Sequence, residues 1–255
     1  MDTLILVFFA GMLAGAMNAL AGGGSLVGLP VLIAAGVPPM EANASSTVAL
    51  FPGGLVSAWV YREGLASIGK APLGALLVST LCGGWVGSIF FLWKPSAMST
   101  VVLPWLLLLA FVALAFGRRL NQALRARWNV HAYAVLATQF ALGAYGGYFS
   151  GAVGILMIAV WGLLDNHDLK HLSSPRTLLA SAANVAVVLA LIGTSAVHWP
   201  VTLTMLVGAI IGGYGGAHIG RCARPGVVHA ITMLGAFCVT LAFFVNTYVP
   251  ALQRH

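Results

Sequence analysis

The side chains that most often carry out chemistry are few and scattered in this sequence. Its acidic residues are Asp2, Glu41, Glu63, Asp165 and Asp168, and none lies in the middle of an apolar run. This distribution excludes an aspartyl protease of the membrane interior and a carboxylate-lined cation path through a bilayer. No motif places a nucleophile beside a base, so an enzyme is the least expected class. We expect no metal site and no cofactor.

The histidines give one weak signal for proton transfer. His167 and His171 are four residues apart, a spacing found in metal sites, but a polar turn at a membrane surface is the favoured explanation. His167 together with Asp165 and Asp168 could relay protons near neutral pH. His218, inside an apolar run, is the other candidate for proton coupling.

The strongest candidate for a binding site is the stretch 18–25, which reads Asn-Ala-Leu-Ala-Gly-Gly-Gly-Ser between two apolar runs. Each glycine disfavours a helix interior by roughly 1 kcal/mol relative to alanine. Broken backbone at membrane depth is tolerated only where it is buried in protein or lines a polar cavity. A helix that begins after such a break presents free N–H groups and the positive end of its dipole, which favour an anion.

The substrate-binding candidates come from this break and from similar residues later in the chain. Asn184 is a buried amide that needs a partner, and Arg176 is either a cation that reaches inward or a cytoplasmic anchor. Close packing of helices through small residues is the other interpretation of the glycines. The full set is Asn18, Gly22, Gly23, Gly24, Ser25, Thr47, Ser150, Gly151, Gly154, Arg176 and Asn184.

The composition predicts an all-α polytopic membrane protein. Of the 255 residues, 60% are hydrophobic and 7% are charged, and the mean hydropathy is +0.97. Apolar runs of spanning length recur along the chain. The net charge is +7, but the basic residues lie at the ends of apolar runs. That placement indicates topology signals and contacts with membrane lipid, not a nucleic-acid partner.

The pattern predicts a spanning run at 3–21, a half-length helix at 25–36, a polar turn at 41–46 whose hydroxyls cap the next helix, and further spans at 71–93 and 100–117. The second half predicts a break within 143–154, a half-length helix at 155–164, a polar turn at 165–176, and spans near 177–194, 200–219 and 227–245. We therefore divide the chain into a first membrane repeat at 1–117, a basic linker at 118–131 and a second membrane repeat at 132–255.

The two halves resemble each other when one is shifted onto the other. A shift of 132 places Asn18 on Ser150 and Gly22 on Gly154, and a shift of 129 places the pair 83–84 on the pair 212–213. Such self-similarity indicates an internal duplication.

The positive charges favour broken segments that enter the membrane and return on the same side. In that arrangement ten of the 12 basic residues lie on one side, against seven if each broken segment crosses once. By the positive-inside rule the linker is then cytoplasmic and both termini are outside. Each half has a broken helical hairpin plus three spanning helices, giving eight to ten membrane segments. The odd number of elements per half predicts inverted repeats.

The sequence resembles the TauE/SafE family of sulfite and organosulfonate exporters. The most specific parts are the run 14–24, Pro30, the run 36–42 that reads Gly-Val-Pro-Pro-Met-Glu-Ala, and Thr47 with the residues around it. The resemblance implies a secondary transporter of the bacterial cytoplasmic membrane that exports a sulfite, sulfonate or sulfo-carboxylate anion, coupled to protons. The inverted repeats, in turn, predict alternating access of two repeats around a midplane anion site.

Two other functions remain open from the sequence. One is a passive anion channel, and the other is a non-transporting membrane scaffold whose small-residue faces bind another protein. A homodimer through the faces of Gly83 or Gly213 is a further expectation. The sequence selects neither the anion nor the direction of transport.

Overall fold

The computed structural model describes residues 2–65, 67–68, 71–93, 132–150, 153–164, 169–193 and 196–223, together with isolated residues beyond them. The predicted spans at 100–117 and 227–245, the linker at 118–131, Gly151 and the acidic turn at 165–168 lie outside the described residues.

Eight α-helices make up the described part of the chain. They are α1 (Asp2–Ala21), α2 (Ser25–Ala34), α3 (Pro39–Val60), α4 (Leu73–Trp93), α5 (Ala132–Phe149), α6 (Val153–Leu164), α7 (Leu169–Ile192) and α8 (Trp199–Cys222). A 3-10 turn, Arg62–Gly64, follows α3. Among the described residues, four apolar segments are long enough to cross a membrane: Thr3–Ala21, Leu73–Trp93, Leu172–Ile192 and Trp199–Cys222. The predicted all-α membrane class is confirmed.

Two predicted turns are wrong at their boundaries. The helix α3 already begins at Pro39, so the stretch 41–46 is helical and its hydroxyls do not cap the helix. Proline suits the first helical position, because the N–H that it lacks would have no partner there. The helix α7 begins at Leu169 and passes through Pro175. Both helices contain hydroxyls that donate to the carbonyl four residues earlier, as Thr47 and Thr177 do at 2.8 and 2.7 Å, and such bonds accommodate them inside a helix.

The first break is the tip of a helical hairpin. After Gly22–Gly24 the chain turns back, so that a Cβ built on Gly24 would lie 2.4 Å from the carbonyl oxygen of Ala14. Further along α2, Leu29 and Leu32 join Val7 and Met205 in one buried cluster. The helix α2 therefore runs back along α1 towards its N-terminal end.

The second break has the same form with different chemistry inside. Trp161 of α6 donates from Nε1 to Oε1 of Gln139 at 3.0 Å, which places α6 beside the middle of α5. Nε2 of Gln139 donates in turn to Oγ1 of Thr80 on α4 at 2.7 Å. The hydroxyl of Thr80 donates to the carbonyl of Leu76 at 2.6 Å. A buried chain of hydrogen bonds therefore ties the second hairpin to α4.

Small residues bring α1 against α8 and α5 against α4. A Cβ on Gly208 would lie 2.2 Å from the carbonyl oxygen of Phe8, and one on Gly83 would lie 2.2 Å from that of Phe140. The same contacts recur four residues further along both helices of each pair, so the helices of a pair are parallel. This close approach is typical of glycine-lined helix faces in membranes. Since Gly83 and Gly213 pack inside the chain, these two glycines are not free to form a dimer face.

In space, Gly83 corresponds to Gly208 and not to Gly212, which the sequence shift of 129 paired with it. The difference is one helical turn. Because the glycines recur every four residues, an alignment of the two halves shifted by one helical turn matches nearly as well. The contacts of Gly208 with α1 and of Gly83 with α5 identify the equivalent pair.

The helices α3 and α7 cross in opposite directions at the centre of the molecule. Gly54 faces Ser181, because a Cβ at position 54 would lie 2.7 Å from the Ser181 hydroxyl. Nearer the end of α3, the hydroxyl of Ser174 donates to the carbonyl of Tyr61 at 2.7 Å. The end of α3 therefore lies beside the beginning of α7, on the side where Arg221 of α8 also lies.

Candidate functional site

The two breaks touch each other. A Cβ built on Gly22 would lie 2.5 Å from the Cα of Gly154, and one built on Gly154 would lie 2.6 Å from the Cα of Gly22. No side chain fits at either position without a shift of backbone. The hairpin tips of the two halves therefore meet backbone to backbone.

Backbone in the left-handed region ends the helix before each break. Gly22 has φ of +80° and Ser150 has φ of +57°. Gly22 N–H donates to the carbonyls of Met17 and Asn18 at 3.2 and 2.9 Å, and Ser150 N–H donates to Gly146 at 2.7 Å. A left-handed residue after the last turn is a common helix ending, but it is strained for serine. Strained backbone of this kind clusters at functional sites.

Free donors open the helix α2. The N–H groups of Gly23, Gly24 and Ser25 donate no hydrogen bond to any described residue. No side chain caps the helix at Gly24. The first turn of a helix otherwise needs such partners, so the start of α2 has N–H donors without partners among the described residues.

A small cavity lies where the breaks meet the crossing of α3 and α7. We call it the central cavity. Its lining residues are Asn18, Ser25, Leu50, Phe51, Gly54, Ser150, Val153, Ala180, Ser181 and Asn184. Four predicted site residues, Asn18, Ser25, Ser150 and Asn184, are thus brought together from three separate stretches of chain.

The central cavity has polar groups and one of them lacks a partner. The carbonyl oxygen Oδ1 of Asn184 is buried and accepts no hydrogen bond within the described structure. Ser181 donates to the carbonyl of Thr177 at 2.9 Å, so its oxygen still has acceptor capacity. Buried polar groups are normally paired, so the cavity leaves one acceptor that a hydrogen-bond donor could satisfy.

The volume of the central cavity, about 20 Å³, is that of a single water site. An anion of the size of sulfite does not fit in this conformation. A larger guest therefore requires a shift of the groups that line the cavity, which come from both hairpins and from α3 and α7.

Arg176 is buried beside the first break and caps the C-terminal end of α1. Its side chain, 1% exposed, donates from Nη2 to the carbonyl of Ala19 and from Nη1 to that of Leu20 at 3.0 Å. A cation at a helix C-terminus satisfies carbonyls that have no partner and complements the dipole. Its Nε has no partner among the described residues. Arg176 does not line the central cavity, although Ala180, one turn away, does.

A second, larger cavity of about 290 Å³ lies at the ends of α3 and α8. We call it the outer cavity, and its lining residues are Tyr61, Glu63, Gly64, Ser173, Ser174, Gly220 and Arg221. Arg221 contacts Glu63 at 2.7 Å. Burial raises the pKa of the Tyr61 hydroxyl above its ordinary value, and the guanidinium groups of Arg176 and Arg221 oppose that rise. The tyrosine therefore stays protonated near neutral pH.

The remaining predicted residues lie elsewhere. Thr47 is buried in α3 and bonded to its own helix. His218 is exposed on α8, with its ring 4.5 Å from that of Tyr214, and it does not reach either cavity. Gly23 packs against Ile155 and Gly24 against α1, so these two glycines shape the break without lining the cavity.

Sequence reasoning missed Gly54 and Ser181 as lining residues. The signal for Gly54 was present in Pro52-Gly53-Gly54, a weak point in an apolar helix. Ser181 precedes Asn184 by three residues, which places both on one helix face. Neither was distinctive without the crossing of α3 and α7.

Comparison with known proteins gives one family. The family model described as sulfite exporter TauE/SafE matches residues 7–243. A probable membrane transporter protein of Haemophilus influenzae is 23% identical over 240 residues, covering 94% of this chain and 93% of that protein. Probable membrane transporter protein YfcA of Escherichia coli K12 is 27% identical over 237 residues, covering 90% and 87%. No solved structure gives a significant match.

Proposed function

The chain belongs to the sulfite exporter TauE/SafE family, and from that premise we propose that it exports a small sulfur-containing anion across the bacterial cytoplasmic membrane. The observation that carries the proposal is the central cavity, where both breaks and the side chains of Asn18 and Asn184 converge. Sulfite, sulfonates and sulfo-carboxylates all present several acceptor oxygens. The free N–H groups at the start of α2 and the amide donors of Asn18 and Asn184 suit such oxygens.

We propose alternating access between inverted repeats as the mechanism. The antiparallel crossing of α3 and α7 and the matching contacts of α1 with α8 and of α5 with α4 support it. In this arrangement one repeat rocks on the other around a site between them. The small volume of the central cavity, about 20 Å³, favours a carrier over a passive channel, because a conducting channel needs a continuous path wide enough for the anion.

The proposed topology has re-entrant hairpins. The return of α2 along α1 supports it, as does the position of Arg62, Ser174 and Arg221 at one end of the molecule. That end is cytoplasmic in the proposal because the positive-inside rule places it there.

The proposal includes coupling of transport to protons, for which there are two alternative routes. Either the turn with Asp165, His167 and Asp168 carries the proton, or the anion crosses in its protonated form. The exposed position of His218 away from both cavities makes it the weaker candidate.

The test is anion flux in liposomes with and without an imposed pH gradient. Native protein is compared with Asn18→Ala, Asn184→Ala and the control Asn43→Ala, since Asn43 lies in α3 outside both cavities. We expect gradient-dependent flux of sulfite or a sulfonate, lowered at least about tenfold by the first two changes and less than twofold by the control.

Equal flux in all three variants would place the site elsewhere. No flux of any sulfur anion by folded native protein would contradict the proposed function and favour the scaffold. Flux that never accumulates the anion against its gradient would indicate a channel.

A further inference from the structure

The outer cavity lies on the way to the central cavity. Along α7, Ser173 and Ser174 line the outer cavity, Arg176 follows them, and Ala180 one turn later lines the central cavity. Between the two cavities, Ala19 of α1 packs with Val60, Tyr61 and Ala217. Arg176 and this cluster therefore lie between residues that line the two cavities.

The surroundings of the outer cavity are electropositive. Arg221 lines it, and Arg176 lies close enough for its charge to act on Tyr61, another lining residue. Glu63 is the only carboxylate among the described lining residues. Arg221 thus lines the cavity beside one carboxylate, Arg176 adds a buried positive charge near Tyr61, and the Tyr61 hydroxyl adds a donor that can bond to an oxyanion.

The carboxylate holds its arginine weakly. Glu63 and Arg221 are 66% and 44% exposed, and exposed ion pairs of this kind contribute little to stability. Nη1 of Arg221 also donates to the carbonyl of Val60 at 3.3 Å, so the arginine stays at the cavity when Glu63 leaves. An incoming anion can take the place of the Glu63 carboxylate without moving Arg221.

We infer that the outer cavity is a second anion site, a vestibule in which a small sulfonate or similar oxyanion displaces Glu63 from Arg221 before it reaches the central cavity. The inference rests on the proposed function in one respect, that the anion is cargo. Glu63 then acts as a competitor that lowers the affinity of the vestibule, and Arg221 supplies the charge that attracts the anion.

Reactivity of an introduced thiol tests the vestibule without any measurement of flux. In a background where Cys82, Cys222 and Cys238 are replaced by serine, Ser173→Cys places a thiol in the outer cavity. Gly193→Cys is the control, because it follows the other end of α7 and its added side chain meets no atom within 4 Å. The protein is held in nanodiscs of zwitterionic lipid, so that both ends are accessible and lipid charge is absent.

The measurement is the rate of modification by an anionic sulfonate-bearing thiosulfonate relative to a cationic one of equal size. We expect this ratio to be at least about tenfold higher for Ser173→Cys than for Gly193→Cys, as one-signed clefts enrich their counterions. Adding Arg221→Gln should lower the ratio at least about threefold, and Glu63→Gln should raise it. Methanesulfonate should slow modification at position 173 and leave position 193 unchanged.

Equal ratios at the two positions, or a ratio that Arg221→Gln leaves unchanged, would overturn the vestibule. A neutral maleimide must also modify both thiols, and its failure at position 173 would show that the cavity is closed to solutes. If native protein transports sulfonates but position 173 shows no charge preference, the inferred vestibule is contradicted and the proposed transport function stands. If position 173 shows charge preference and protection by methanesulfonate but the protein transports no anion, the second anion site is supported and the proposed transport function is contradicted.

Discussion

The two helical hairpins have the same course but different interiors. In the first, Val7, Leu29 and Met205 form an apolar cluster. In the second, Gln139, Trp161 and Thr80 occupy the matching places and form a chain of hydrogen bonds. Apolar contact is non-directional, whereas hydrogen bonds require fixed geometry. The same hairpin course is therefore compatible with an apolar or a hydrogen-bonded interior. We expect the first hairpin to tolerate small shifts between its helices better than the second.

The largest loss of folding stability should come from substitutions at the point where the two hairpins touch. Gly22→Ala introduces both a left-handed alanine, at about 1–2 kcal/mol, and a clash with Gly154 backbone, at about 1–3 kcal/mol. Gly154→Ala introduces the clash alone. Gly36→Ala is the control for conformation alone, because Gly36 has φ of +89° and open space around it.

Unfolding in mixed micelles should rank the loss of stability as Gly22→Ala first and Gly36→Ala last. A larger loss at position 36 than at position 154 would show that the tips do not pack as described.

The next effect tests the apolar interior of the first hairpin. Met205 is fully buried, and Met205→Ala leaves a cavity beside Val7 and Leu29. We expect a loss of about 2–5 kcal/mol in the free energy of unfolding, with Met205→Leu costing less than about 1.5 kcal/mol because volume is conserved. An equal loss in both variants would argue against packing as the cause.

A smaller effect tests the polar interior of the second hairpin. Thr80→Val keeps the shape and removes the acceptor of Gln139, so we expect a loss of about 1–3 kcal/mol. Combining it with Gln139→Leu and Trp161→Phe gives an interior without unpaired polar groups. The triple variant should lose less than the sum of its single changes in the same unfolding measurement. Full additivity would mean that the chain does not act as a unit.

The smallest effect should come from the outward side of α8. His218→Ala should change the free energy of unfolding by less than about 0.5 kcal/mol and leave the pH dependence of flux unchanged. A flux that no longer responds to the pH gradient would instead make His218 the proton carrier and move attention from the hairpins to the surface of α8.

Much of this arrangement could be predicted from the sequence, because the glycines at 22–24 and the charge distribution mark the first hairpin. Asn18, Ser25, Ser150 and Asn184 were predicted to form the site, and they line one cavity. The role of Arg176 could not be predicted. Its partners Ala19 and Leu20 are 157 and 156 residues away and offer only backbone carbonyls, which have no signature in a sequence.

That arginine has a consequence for the order in which the protein is made. The carbonyl of Leu20 at the end of α1 has no partner until Arg176, 156 positions later, has been synthesised. The glycine face of α1 likewise has no packing partner until α8 has been synthesised. A ribosome delivers the first half without either partner, and unpaired carbonyls are costly in lipid. The amino-terminal half should therefore persist in the membrane only when the carboxy-terminal half is supplied, even on a separate polypeptide.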